Sequence, residues 1–167
     1  VLEIMKAIFR LAVPEDGEQL LEVTLRAYQS IRDLGINFAA AYADMEMVNK
    51  NIKNNLCYVL EEKGSIIATV SIRLPWGFQP GPVGLPHIGW LAVDPNSVQK
   101  GIGSKILSLV EEKIINDLKC HAVTLGTAES HPWLSKMYKN KGYYEIGTKE
   151  LGRGHTTIYF KKDLVTE

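Results

Sequence analysis

The most constraining stretch of the chain runs from His87 to Lys119. His87 to Val93 reads as a strand that Asp94-Pro95 ends, and Gly101 to Lys119 reads as a helix opened by glycines. Ile102, Ile106, Leu109, Val110, Ile114 and Leu118 fall on one side of that helix, and Lys105, Glu111, Glu112, Lys113 and Asp117 mostly on the other. A strand that leads through a short loop into an amphipathic helix needs a sheet to bury the helix against, which points to an α/β layer architecture.

The rest of the chain supplies the sheet. Lys6 to Val13 alternates as a strand with Phe9, Leu11 and Val13 on one face, and Pro14-Glu15-Asp16 carries helix-start chemistry. The first helix follows, with Leu21, Leu25 and Tyr28 on a stripe widened by Leu20, Thr24, Ala27 and Ile31, and stops before Gly35. Asn37 to Leu56 predicts one helix and a turn, the helical run being Ala39 to Val48, with Asn49, Asn51, Asn54 and Asn55 weakening its end. Cys57 to Glu62 and Ser65 to Leu74 form a hairpin turning at Lys63-Gly64. Pro75 to Pro86 then holds four of the seven prolines, a connection long enough to suggest function. Beyond the central helix come a strand Ala122 to Thr127, a helix Trp133 to Asn140, and strands Tyr143 to Leu151 and Thr156 to Lys161. The expectation is a single domain over residues 1–167 with order β α α β β β α β α β β.

Composition narrows the function classes. With 167 residues, 46% of them hydrophobic, the chain builds one core without disulfides or metals. Nineteen basic residues balance nineteen acidic ones and no basic block occurs, which argues against nucleic acid as a partner. Apolar runs are interrupted well before the roughly 18 residues of a membrane span, and no signal-peptide layout is visible, so no membrane is expected and the reading is cytoplasmic. Cys57 and Cys120 match no ligand spacing; no metal site is expected and both read as reduced thiols.

Chemistry concentrates at Leu91 to Lys105. A strand end, a tight loop and a glycine-rich helix start gather free backbone N–H groups at the positive end of a helix dipole, which makes an anion cradle. Gly101 and Gly103 allow a phosphate to approach closely. A P-loop would need a glycine further upstream, and the dinucleotide fingerprint would need glycine where Ile106 stands.

Leu91-Ala92-Val93-Asp94-Pro95 followed by Val98-Gln99-Lys100-Gly101-Ile102-Gly103, with Met137-Tyr138-Lys139-Asn140-Lys141-Gly142-Tyr143 downstream, resembles the N-acetyltransferase (GNAT) family. The resemblance extends over about Ser65 to Phe160. It implies a mixed, mostly antiparallel sheet flanked by helices, and transfer of an acetyl group from acetyl-CoA to a primary amine of a small molecule or protein by direct attack. Val98 occupies the family's Gln/Arg slot, with Gln99 beside it; His131 stands where an Asn often meets the pantetheine arm. The alternative is a non-catalytic acyl-CoA-binding or regulatory module of the same fold.

The resemblance assigns Leu91, Ala92 and Val93 to the pantetheine and the oxyanion, and Val98, Gln99, Lys100, Gly101, Ile102, Gly103 and Ser104 to the phosphates. His131 and Tyr138 complete the cofactor contacts. Tyr138, whose phenol ordinarily titrates near 10, is the candidate acid for the departing thiolate. His87 and Glu129 are the candidate bases, His87 having the better ordinary pKa, and a water chain is the other route. Among the lysines near the cofactor groove, Lys100, Lys105, Lys136, Lys139 and Lys141 could meet the phosphates. Tyr42, Met45, Trp76 and Phe78 are candidates for an acceptor wall. The last strand, Thr156 to Lys161, is a possible dimerising edge.

Overall fold

The computed structural model describes residues 7–97 and 101–164. Seven strands form one sheet in the order β1-β2-β3-β4-β5-β7-β6: β1 Ile8–Leu11, β2 Leu56–Glu62, β3 Ser65–Arg73, β4 His87–Val93, β5 Ala122–Ala128, β6 Tyr144–Glu150 and β7 Thr156–Asp163. Every neighbour pair is antiparallel except β4 with β5. The expected element order and the mixed, mostly antiparallel sheet are both present. Lys63 and Gly64, with φ of 53° and 81°, close the β2–β3 hairpin in the two-residue turn whose twist matches the strands.

Helices cover both faces. α1 (Gly17–Ala27) and α3 (Met45–Asn54) bring Leu20, Val23 and Val48 against Cys57, Val59 and Ile66. On the opposite face α4 (Ile102–Asn116) lays Ile102, Ile106, Val110 and Ile114 on Leu60, Ala68, Val70 and Ile72. Burial on both faces explains why β2 and β3 read as continuous apolar runs instead of alternating ones. Each of these large side chains stabilises the fold by about 1.5–3 kcal/mol, so the sheet is a stiff platform for whatever sits at its edges.

Three expectations change. The first helix is interrupted at Tyr28, which turns inward between α1 and a short α2 (Gln29–Asp33). The second begins later: Ala39–Tyr42 makes only a 3-10 turn, and α3 starts at Met45 because the Asp44 carboxylate accepts the Met47 N–H at 2.9 Å. Asn49, Asn51 and Asn54 belong to the helix and Asn55 caps its end: the Asn51 amide donates to Ser71 Oγ at 2.8 Å and Asn55 donates to Asn51 at 2.9 Å. Third, Thr156–Asp163 is not a sheet edge. β7 lies between β5 and β6, and the exposed edge on that side is β6.

Candidate active site

The centre of the site is a defect in β4. Between the pairs Thr69↔Ala92 and Ser71↔Gly89, β3 contributes one residue where β4 contributes two, Trp90 and Leu91. Trp90 has φ of 54°, a costly backbone for a bulky side chain. α1 holds the bulge in place. The Trp90 indole donates to Thr24 Oγ1 at 2.9 Å, and one turn later the Tyr28 hydroxyl donates to the Leu91 carbonyl at 2.9 Å. These two polar anchors were hidden in the sequence as members of an apolar stripe.

Beyond the bulge the sheet opens. β4 and β5 pair only at His87↔Thr124 and Ile88↔Leu125, leaving Gly89 to Val93 and Gly126 to Ala128 as the walls of a wedge. Strand edges that part this way present backbone groups in need of partners. Leu91, Ala92 and Val93 line it from β4. The buried hydroxyls of Thr127, on β5, and of Ser135, in the helix that follows it, have no hydrogen-bond partner among the described residues. Such groups suit an amide-bearing arm that can both donate and accept.

At the mouth of the wedge stands the N-terminus of α4. Gly101 caps it in the left-handed region, φ 79°, where a Cβ would be strained. Among the described residues outside its own helix, the nearest atom to a would-be Cβ at Gly103 is Val93 Cγ2 at 3.9 Å, which leaves room for a ligand. Ile102 is buried in the core and contributes backbone. Lys141 donates to Ser104 Oγ at 2.6 Å, which brings one expected lysine to the mouth. Free N–H groups, a helix dipole and a cation together favour phosphate. Val98, Gln99 and Lys100 lie outside the described residues.

Tyr138 is buried on α5 (Leu134–Asn140), with its ring 5.8 Å from that of Tyr143 and 6.2 Å from that of Phe160. Burial raises the pKa of the Tyr28 phenol, and the nearby Tyr138 phenol adds to that rise. Burial pushes Tyr138 up to about 12, above the ordinary value used in reading the sequence. It is therefore protonated throughout the neutral range and serves as a hydrogen-bond donor. Tyr143 is tied down instead: its hydroxyl donates to Glu111 at 2.8 Å, and Lys162 holds the same carboxylate at 3.0 Å.

The candidate bases fare differently. His87 is buried with Nδ1 2.8 Å from Thr124 Oγ1, and desolvation with Arg73 close by pushes its pKa down to about 4. That corrects the expectation of a ring titrating near neutrality; His87 is a neutral, weak base at pH 7. Glu129 is exposed just past β5, its backbone N–H bonded to Thr156. His131 acts as a cap for α5: the N–H groups of Trp133 and Leu134 point to its Nδ1 at 3.4 and 3.3 Å.

A cavity of about 270 Å³ opens beside His87, lined by Arg73, Pro80, Gly81, Pro82, His87, Lys149 and Tyr159. Arg73 pairs in register with His87 and Tyr159 with Gly126, which sets the cavity on the face of the sheet opposite α4. The expected aromatic wall is elsewhere. Trp76 and Phe78 are 70% and 81% exposed, Tyr42 is exposed, and Met45 packs toward Gly17.

The profile of the acetyltransferase (GNAT) family matches residues 18–143. An S-(2-succino)cysteine N-acetyltransferase of Bacillus subtilis (strain 168) is 60% identical over 96% of this chain and 98% of its own length. An S-alkylcysteine N-acetyltransferase of the same organism is 41% identical over 96% of this chain and 90% of its own. Among solved structures, PaiA N-acetyltransferase from Thermoplasma acidophilum in complex with coenzyme A superposes with a TM-score of 0.73 at 17% identity, covering 95% of this chain and 99% of that one. These matches displace the non-catalytic reading: the chain belongs to the GNAT acetyltransferase family and is an N-acetyltransferase.

Proposed function

We propose that the chain acetylates the α-amine of an S-substituted cysteine, using acetyl-CoA as cosubstrate. The observation that carries the reading is the pair of relatives above, both N-acetyltransferases of S-substituted cysteines and both matched along nearly their whole lengths. The cavity supports it, being about the size for one amino acid and lined by cationic and neutral groups. Acetyl-CoA supplies an activated acyl carbon and a thiol leaving group.

The residues fit that cosubstrate. Gly101, Gly103 and the first turn of α4 hold the phosphates, aided by Lys141, while Leu91 to Val93 and the unpartnered hydroxyls of Thr127 and Ser135 accommodate the arm. The amine attacks the acyl carbon from the cavity side; a C–N bond forms, the C–S bond breaks, and the sulfur takes up a proton. Backbone N–H groups at the bulge stabilise the developing oxygen charge, held in place by Trp90–Thr24 and Tyr28–Leu91. Tyr138, kept protonated by burial, donates a hydrogen bond to the departing sulfur, and the proton the sulfur takes up is the one the attacking nitrogen sheds. No strong base is required, because the Arg73 guanidinium disfavours an ammonium near it and the surplus proton leaves to water. Both cysteines are free and no helix among the described residues is long and apolar enough to cross a membrane; a cytoplasmic setting suits both and the cosubstrate.

The test is to incubate the protein with acetyl-CoA and S-(2-succino)cysteine, S-methylcysteine or lysine, following thiol release and the product mass. N-acetylated thioethers are expected. Acetylation of lysine with neither thioether modified would overturn the reading.

A further inference from the structure

Arg73 is the last residue of β3 and half-buried, yet it forms no ion pair or hydrogen bond among the described residues. Its guanidinium folds across β4: Nη2 lies 3.9 Å from where a Gly89 Cβ would stand, directly before the bulged Trp90. At that distance a Cβ would only touch the guanidinium, so the arginine head rests against the Gly89 backbone, next to the bulge. Lys149 lines the same cavity from β6 and also has no carboxylate partner among the described residues. No acidic residue among the described ones lines the cavity, and Arg153 is close enough to add to the positive field at Arg73. A half-buried guanidinium with nothing to neutralise it is expensive to maintain unless a ligand supplies the anion.

The two cations stand at different depths. Lys149 is on β6, three strands from the bulged β4, a separation of about 14 Å at the usual strand spacing. The lysine stem covers part of it, and an acceptor with carboxylates at both ends covers the remainder. In an α-amino acid the carboxylate and the amine share one carbon, so a guanidinium beside the bulge that grips the carboxylate also places the amine at the acyl carbon.

Resting on the S-substituted cysteine reading above, we propose that Arg73 binds the acceptor's α-carboxylate and Lys149 a carboxylate on its sulfur substituent, so that this chain selects acceptors whose substituent is itself anionic. Arg73 determines productive placement; Lys149 determines which thioether is preferred. The planar fork of Arg73 suits a carboxylate bidentately, whereas Lys149 acts as a mobile point charge.

The experiment compares kcat/KM for S-(2-succino)cysteine and S-methylcysteine in the unaltered protein, Arg73→Gln, Arg73→Lys and Lys149→Gln, with acetyl-CoA affinity measured alongside as evidence of folding. The unaltered protein should favour the succinylated acceptor by about tenfold or more, and Lys149→Gln should reduce that ratio by about tenfold. Arg73→Gln should lower kcat/KM for both acceptors by about 100-fold, with Arg73→Lys recovering only part. Acetyl-CoA affinity should hold in all of them. An unchanged acceptor ratio in Lys149→Gln, or activity of Arg73→Gln within twofold of the unaltered protein, would overturn the proposal while leaving the acetyltransferase reading standing. Failure of every protein to acetylate either thioether would overturn both. Lys149 is exposed on an edge strand, so its variant keeps the test decisive even where Arg73→Gln does not fold.

Discussion

The two sides of the β4–β5 wedge are built from different materials. On the α4 side the lining groups are largely main chain: the bulged edge of β4, the glycine turn and the first turn of a helix. On the opposite side they are side chains drawn from β3, β4, β6, β7 and the loop before β4. Recognition by backbone requires consecutive residues in special conformations, whereas recognition by side chains requires only that separate strands bring them together. The first kind is fixed by the fold and serves any acceptor; the second can change residue by residue.

The sharpest way to break this comparison is at the candidate donor to the departing sulfur. Tyr138→Phe removes one hydroxyl from a buried ring and should lower kcat by about 100-fold, with little change in either KM. Equal turnover would take Tyr138 out of the chemistry.

Paired glycine substitutions should then divide the two sides. Gly103→Val fills the space beside Val93 and should raise the acetyl-CoA KM by about tenfold while leaving the acceptor KM near its original value. At Gly81 a Cβ would lie 2.7 Å from that of His87, so Gly81→Ala must displace the loop over the cavity. Its acceptor KM should rise several-fold with acetyl-CoA unaffected. If both substitutions alter both constants alike, the two sides are not independent.

A smaller effect concerns stability on the cavity side. In the unfolded chain His87 takes up a proton near 6.5, but in the fold only near 4, because burial and Arg73 oppose the charge. The unfolded state thus binds more protons between those values, and stability should fall as pH drops from about 6.5 toward 4, by on the order of 3 kcal/mol. Denaturant midpoints for the unaltered protein and His87→Gln should converge over that window. Parallel curves would mean that His87 contributes nothing to the acid sensitivity.

How much could be read in advance follows the same division. The places of Gly101 and Gly103 at the start of the central helix, and of Tyr138 on a short helix beyond β5, were legible because each lies in one contiguous stretch, and the family resemblance singled out Tyr138. Trp90, Thr24 and Tyr28 were not, because a bulge is visible only when the partner strand's register is known. Arg73 and Lys149 lie 76 positions apart in sequence and have no pattern in common. The edge strand was misassigned for a related reason: β7 inserts beside β5, and chain order does not reveal which of two terminal strands takes the inner place. For His87 and Tyr138 the residues could be named from sequence, but their acidity depends on burial that only the packed fold provides.

The central claim is that acceptor and acetyl-CoA occupy opposite sides of one wedge at the same time and react directly. Initial rates measured across a grid of acetyl-CoA and S-(2-succino)cysteine concentrations test it most directly. Intersecting double-reciprocal lines are expected, since both must be bound before the C–N bond forms. Parallel lines, with thiol released before acceptor is added, would mean an acetylated protein intermediate and would contradict the account.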